Sequence, residues 1–406
     1  MKDTSHRLSA SYWQFWIAAT VSALGDGLRV TALPLLAAST TRNPAAISVV
    51  AAAGFLPWPV FGLLGGALSD RFTRRRLMWV VNGFRAVVVT GASVSLLSRG
   101  SLPIVSLAVL AFVLGSAETI HDNAAVGLLP ELLPAGALAT GNSRLFTSQL
   151  SGTQLIGPIL GGLLFAVGSA LPLALDASSF AISAALIALL PVTRSPASRP
   201  ARHNLRHQIA EGLVWLWRDP TLRGMAIVST VLGTISGALL AMLVVYAHQQ
   251  LRISSAGYGL LLAAFAIGSI TGAIAAPRII KARPLAEILF FIVLLTAGIF
   301  AGLAATSQPV IAAVLLAMLG IAVSTWNVAS VTTRQRIVPK HLLGRVSSAY
   351  RASALTFTTV GALISGVLTG LTSVTITFWA CSCLALLGLF LAQRGLRTTH
   401  HNPRQS

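Results

Sequence analysis

Long apolar runs follow one another from Trp16 to Leu391, separated by short segments where arginine, proline and glycine concentrate. Each is close to the roughly 20 residues an α-helix needs to cross a bilayer and far longer than a barrel strand of about 10. Lipid offers no hydrogen bonds to the backbone, so runs of this length must satisfy their own amides as helices. The pattern predicts twelve spans, at 16–38, 47–68, 77–97, 102–120, 146–167, 171–190, 222–247, 257–279, 285–304, 309–328, 352–371 and 375–391. Composition points the same way. Only 10% of the 406 residues are charged, against roughly 25% in soluble domains.

The net charge of +19 would suggest nucleic acid in a soluble protein. Here the basic residues sit in alternate segments between spans, which is the mark of membrane topology. One set holds Arg71, Arg74, Arg75 and Arg76, then Arg194 to Arg223 in the centre, then Arg278, Lys281 and Arg283, and finally Arg334, Arg336, Lys340 and Arg345. The opposite set holds Arg42, Arg99 and Arg252. The positive-inside rule therefore puts both termini in the cytoplasm. Arginine far outnumbers lysine, a bias that hints at a GC-rich bacterial genome, and the expected location is the bacterial inner membrane. Cys381 and Cys383 stand two apart in an apolar run, where a disulfide is geometrically implausible. The first apolar run continues too far for a cleavable leader.

The chain divides at Pro191–Pro220. The expected parts are an N-terminal bundle over 1–190, a cytoplasmic linker over 191–221, a C-terminal bundle over 222–393 and a tail over 394–406. Within the linker, Ile209, Leu213, Leu216 and Trp217 recur at helical spacing beside charged residues, predicting an amphipathic helix. A weak repeat relates the halves. Pro130 and Pro339 occupy matching places after the fourth and tenth spans. The glycines at 62, 65 and 66 resemble in spacing Gly268 and Gly272. Parallel six-helix repeats around a central cavity are a transporter plan. The expected fold class is thus an all-α membrane protein of twelve transmembrane helices in two six-helix bundles.

Gly66, Asp70 and Arg71, followed by Arg74, Arg75 and Arg76, resemble the loop signature Gly-x-x-x-Asp-Arg-x-Gly-Arg-Arg of the major facilitator superfamily, with Thr73 in place of its second glycine. The resemblance implies a cytoplasmic latch, in which Asp70 caps the start of the eleventh span and pairs with loop arginines. The plain alternative is an ordinary positive-inside loop. In the fifth span, Gly157, Pro158, Gly161 and Gly162 resemble the glycine-proline motif of exporters in that superfamily. Small residues let helices approach closely and proline bends them, so these four form a candidate hinge, with generic tight packing as the alternative. Leu24-Gly-Asp-Gly-Leu28, Leu175-Asp-Ala-Ser-Ser-Phe180, the Glu211–Arg223 stretch and Arg334–Ser348 are similar to the drug:proton antiporter branch that includes macrolide-efflux and enterobactin-exporter-like proteins. That resemblance covers nearly the whole chain. It implies alternating access powered by proton entry, and says little about cargo.

Charges inside the spans are costly and therefore candidates for function. Asp26 and Arg29 lie three apart in the first span, on one helical face. Asp26 is the first candidate for proton coupling, or else the permanently ionised partner of Arg29. Glu118 is a second carrier or the partner of Arg85 in the third span. Asp176 suits coupling, capping or a gate. His121 and His248 are read as polar contacts near helix ends. Trp58, Phe146, Trp326 and Phe357 are cavity candidates, with lipid-facing positions as the alternative.

No metal-ligand spacing, no nucleophile–base pair and no phosphate loop ending in Lys-Ser or Lys-Thr is present. Neither an enzyme nor an ATP-driven pump is expected, and no cofactor. The expected partners are a small-molecule substrate, protons and the bilayer, without nucleic acid, and the expected state is a monomer. The function expected is proton-coupled export of hydrophobic or amphipathic molecules. Siderophore or metabolite export, uptake by the same fold, and a non-transporting receptor are the rivals.

Overall fold

The computed structural model describes residues 9–58, 61, 72–134, 137–191, 214–339 and 342–397. Among the described residues there are helices and no strands. In chain order they are α1 (Ala10–Thr40), α2 (Pro44–Phe55), α3 (Arg74–Arg99), α4 (Ile104–Leu132), α5 (Leu138–Leu150), a π-helical turn (Ser151–Ile156), α6 (Gly157–Val167), α7 (Leu171–Ala188), α8 (Pro220–Gln249), α9 (Ser255–Ala282), α10 (Leu285–Ala305), α11 (Pro309–Ile337), α12 (Leu343–Leu371) and α13 (Val374–Arg397). Among the described residues, eleven helical stretches are long and apolar enough to cross a membrane, with α5, the π turn and α6 contributing one of them. The second expected span, 47–68, is described over α2 and a few residues after it; its remainder lies outside the described residues. So do Gly66, Asp70 and Arg71 of the expected latch, and most of the expected linker helix, of which residues 214–218 are helical.

The helices begin and end where local chemistry directs. Ser9 caps α1 by accepting from the Tyr12 amide at 3.1 Å. Asp219 caps α8 by accepting from Leu222 N at 2.9 Å, with Pro220 at the first helical position. Both satisfy amides that have no partner within the helix. α3 stops at Gly100, whose φ of 71° turns the chain left-handed and returns its amide to the Leu96 carbonyl. Hydroxyls inside the apolar stretches bond back to carbonyls one turn earlier, as Thr20, Ser116, Thr119 and Thr296 do. These four hydroxyls are thereby satisfied within their own helices, whereas the buried Thr325 hydroxyl of α11 has no hydrogen-bond partner among the described residues.

Several helices outrun the apolar runs that announced them. α4 was expected to stop at Ile120 but continues to Leu132, through His121, Asp122 and Pro130. α11 was expected to stop at Val328 but continues to Ile337. The polar residues that seemed to end these spans are helical and in part buried: His121 packs beside Asn82, and Arg334 is inside its unit. The two prolines of the weak repeat differ in consequence. Pro130 lies within α4, whereas Pro339 follows the end of α11.

The chain forms two compact units. The first comprises Met1–Arg42, Leu56–Pro200 and Ser254–Ala263; the second comprises Asn43–Phe55, Ala201–Ile253 and Ala264–Ser406. In the first, a core of Tyr12, Phe15, Met78, Leu128, Leu129 and Leu145 gathers α1, α3, α4 and α5. The seams of both units are glycine seams. In the first, a methyl group on Gly157 would lie 2.5 Å from the Gly27 Cα. In the second, one on Gly237 would strike the Thr358 carbonyl and one on Gly361 the Thr234 carbonyl, so α8 and α12 meet backbone to backbone. Without a hydrophobic drive between helices in lipid, this closeness, through dispersion, holds them together.

Candidate functional site

The Leu24–Leu28 stretch of α1 places its three central residues against three neighbours. Gly25 faces α7, where a methyl group would lie 2.6 Å from Asp176 Oδ1. Gly27 faces the π turn and α6, where a methyl group would lie 2.4 Å from the Gly152 carbonyl. Between them Asp26 reaches α3. The two glycines bring α1 close enough for charges from four helices to meet.

Those charges are Asp26 and Arg29 of α1, Arg85 of α3, Glu118 of α4 and Asp176 of α7. Arg29 Nη2 donates to Asp26 Oδ1 at 2.6 Å and to Glu118 Oε2 at 2.9 Å, and its Nε lies 3.7 Å from Asp176 Oδ2. Arg85 Nη2 donates to Asp26 Oδ1 at 2.5 Å and stands 4.0 Å from Glu118. The Arg85 guanidinium also lies 3.8 Å from the centre of the Phe180 ring, a cation–π contact. All five expected charges thus form one group, but with altered partners. Arg85 binds Asp26 more closely than Glu118, and Glu118 binds Arg29. Three carboxylates face two guanidiniums, leaving one negative charge in excess if all are ionised.

Exposure grades the carboxylates. The Glu118 side chain is 32% exposed, Asp26 14% and Asp176 0%. Neither Asp176 oxygen has a hydrogen-bond partner, nor has Arg29 Nε. Further along the same surface, Asn82 donates to Ser183 at 3.0 Å and lies 3.4 Å from the His121 ring, which is 3.5 Å from Asp122. His121 is therefore a buried mid-helix contact, not one near a helix end; His248 does lie in the last turn of α8.

The other expected sites fall as follows. Arg74 ties the start of α3 to α4, donating to Glu131 and to the Gly127 carbonyl, each at 2.7 Å. Arg75 donates to the Ala188 carbonyl at the end of α7, where a cation is favoured. Gly157, Pro158, Gly161 and Gly162 open α6 directly after the π turn. Gly161 packs on Leu28 and Thr31, and Gly162 on Ser255 and Ala256. Phe146 is 66% exposed and Phe357 40%, while Trp58 is half-buried. Trp326 is buried within the second unit.

Trp326 belongs to a cluster that the sequence reading missed. Its indole donates to Ser229 at 2.9 Å. Ser229 shares a hydrogen bond with the Tyr350 hydroxyl, which is also 2.7 Å from Ser330 and 3.3 Å from the Met225 carbonyl. Arg334 donates to Ser330 at 2.7 Å and stacks on the Tyr350 ring at 3.8 Å. The apolar pattern places Arg334 in the segment after the tenth span, whereas it lies buried in the last turn of α11. The signal that would have found it is the spacing of Trp326, Ser330 and Arg334, each four apart on one face of α11. Among the described residues, no group of three or more His, Cys, Asp or Glu could hold a metal ion.

Comparisons with known proteins bear on the whole chain. The profile of a family described as transmembrane secretion effectors matches residues 8–403. The multidrug efflux pump Tap of Mycobacterium tuberculosis is 27% identical over 394 residues, covering 92% of this chain and 91% of that one. The enterobactin exporter EntS of Escherichia coli O9:H4 is 26% identical over 369 residues, covering 86% and 83%. Among solved structures, the nucleoside transporter NupG aligns with a TM-score of 0.80 at 12% identity, covering 96% of this chain and 99% of that one. A bacterial homologue of the iron transporter ferroportin, in an inward-facing state, aligns with a TM-score of 0.74 at 16% identity, covering 97% and 99%. At such identities these structures speak for the fold alone.

Proposed function

The chain belongs to the transmembrane secretion effectors, transporters of the major facilitator superfamily, and from that premise we propose that it exports hydrophobic or amphipathic small molecules in exchange for protons. The observation that carries the reading is the buried group of Asp26, Arg29, Arg85, Glu118 and Asp176. A membrane protein keeps such charges out of water only at considerable cost. An excess carboxylate in that setting is a natural place for a proton to bind and leave. Export is supported by the two relatives, a multidrug efflux pump and an enterobactin exporter.

In this reading the six-helix halves, residues 1–190 and 222–393, rock against each other, and the glycines after the π turn supply the bend. The protein acts as a monomer in the bacterial inner membrane with both termini cytoplasmic, as the arginine-rich segments favour. The arginines of the 66–76 segment latch that face. A second reading, export of one dedicated metabolite such as a siderophore, is favoured by the similarity to the enterobactin exporter.

The test is accumulation of a panel of fluorescent amphipathic compounds in efflux-deficient cells, at matched membrane expression, with and without a protonophore. Lower accumulation with the wild type, abolished by the protonophore and by breaking the charge group at the carboxylate Arg29 and Arg85 share, in Asp26→Asn, is the expected result. Gradient-independent efflux would overturn proton coupling. No efflux of any compound would turn the search to a dedicated cargo.

A further inference from the structure

The five-charge group does not treat its carboxylates alike. Asp26 is held by two guanidiniums, at 2.6 Å from Arg29 and 2.5 Å from Arg85. Glu118 is held by Arg29 at 2.9 Å and is partly open. Asp176 is sealed completely, and both its oxygens lack a hydrogen bond. Its one charged neighbour within 4.0 Å among the described residues is Arg29, whose Nε stops at 3.7 Å without bonding to anything. Its own helix offers nothing: the Ser179 hydroxyl donates to the Asp176 backbone carbonyl instead of its carboxylate.

An ionised carboxylate in that position would be fully buried with neither oxygen hydrogen-bonded, and the one group that favours it, Arg29 Nε, stands off at 3.7 Å. A neutral carboxylic acid is far less costly to bury than the ion. It also removes the one surplus negative charge of the group. The two guanidiniums are then matched by two carboxylates, Asp26 and Glu118, which are those they hold most closely. The arrangement is the one expected when Asp176 carries a proton.

We infer that Asp176, rather than Asp26, is the carboxyl that holds the exchangeable proton of the group, with Arg29 as its positioning residue. This rests on the proton-antiport reading but assigns the proton to one atom pair. Loading is the addition of one proton from water to an Asp176 oxygen. Unloading returns it and restores the carboxylate. Once ionised, Asp176 draws Arg29 Nε across the 3.7 Å gap, loosening its hold on Glu118. The other charged groups that act on Asp176 are Asp26 on α1, Arg85 on α3 and Glu118 on α4; on α7 itself Ser179 lies beside it against Gly25, and His121 and Asp122 follow Glu118 along α4.

The test is infrared difference spectroscopy of the full-length protein in detergent, titrated with base, following the carbonyl band of a protonated carboxylic acid. The expected result is a band in the wild type that titrates away and is lost in Asp176→Asn; in Asp26→Asn and Glu118→Gln, which leave Asp176 as one of two carboxylates for two guanidiniums, the same band is expected to titrate away at lower pH. Heavy-carbon labelling of the aspartate carboxyls gives a second measurement that needs no variant, and the band is expected to shift. A band that persists in Asp176→Asn, one absent at every pH in Asp26→Asn, one that does not shift on aspartate labelling, or no band at any pH in the wild type would each overturn the assignment. A band assigned to Asp176 alongside gradient-independent transport would instead leave this inference standing and overturn the antiport reading.

Discussion

Gly237→Ala tests the claim that the second unit is held by backbone contact between α8 and α12. The added methyl would lie 1.9 Å from the Thr358 carbonyl oxygen. A carbon and a carbonyl oxygen ordinarily sit about 3.3–3.6 Å apart, so the helices must separate by roughly 1.4 Å. The obstacle is helix backbone, and no rotamer change relieves it. The reciprocal contact, Gly361 against the Thr234 carbonyl, forces the same displacement to propagate along the seam. Overpacking costs typically about 1–3 kcal/mol, and this geometry belongs at the upper end. Alanine recovers about 1 kcal/mol of helix propensity. The net loss is about 2 kcal/mol, roughly 30-fold in the folding equilibrium. Gly298→Ala is the matched control, because nothing lies within 4 Å of its added methyl. It gains the propensity and meets no obstacle. Heating each variant in detergent and measuring the surviving monodisperse peak by size exclusion gives the comparison. Gly237→Ala surviving as well as Gly298→Ala would refute the argument from close approach.

Two further substitutions probe the buried polar groups. Tyr350→Phe removes the hydroxyl shared with Ser229, Ser330 and the Met225 carbonyl while keeping the ring beneath Arg334; a loss of about 1–3 kcal/mol is expected, read as a lower thermal midpoint, and an unchanged midpoint would mean that water replaces the hydroxyl. Arg85→Gln strips Asp26 of one of its two guanidiniums and is expected to cost about 3–5 kcal/mol, seen as a sharp drop in folded yield, with Arg85→Lys recovering only part because it loses the planar stack on Phe180.

How far the sequence carried the reading depends on which physical signal it holds. Spans are legible because lipid imposes a length and a composition on each one. The ends of α4 and α11 were not, because a helix continues through polar residues wherever a neighbour receives them, as Asn82 receives His121 and Tyr350 receives Arg334. The buried charges were legible as costly exceptions, yet their pairing was not. Arg85 could reach either Asp26 or Glu118, and the choice is fixed by how near Gly25 and Gly27 let α1 come to its neighbours. The π turn left no trace, since its residues Ser151 to Ile156 suit an ordinary helix equally well.

That turn nevertheless sets the rotational phase of everything that follows it. Gly157 comes twelve positions after Leu145, and at about 3.6 residues per turn an uninterrupted helix would point the two about 120° apart. Both rest on α1, Leu145 in the core around Tyr12 and Gly157 against Gly27. A π turn accommodates one extra residue, worth about 100° of rotation, which brings both onto the same side. The segment acts as a vernier. It lets one continuous span grip α1 at two heights with two different chemistries, large side chains at one and bare backbone at the other.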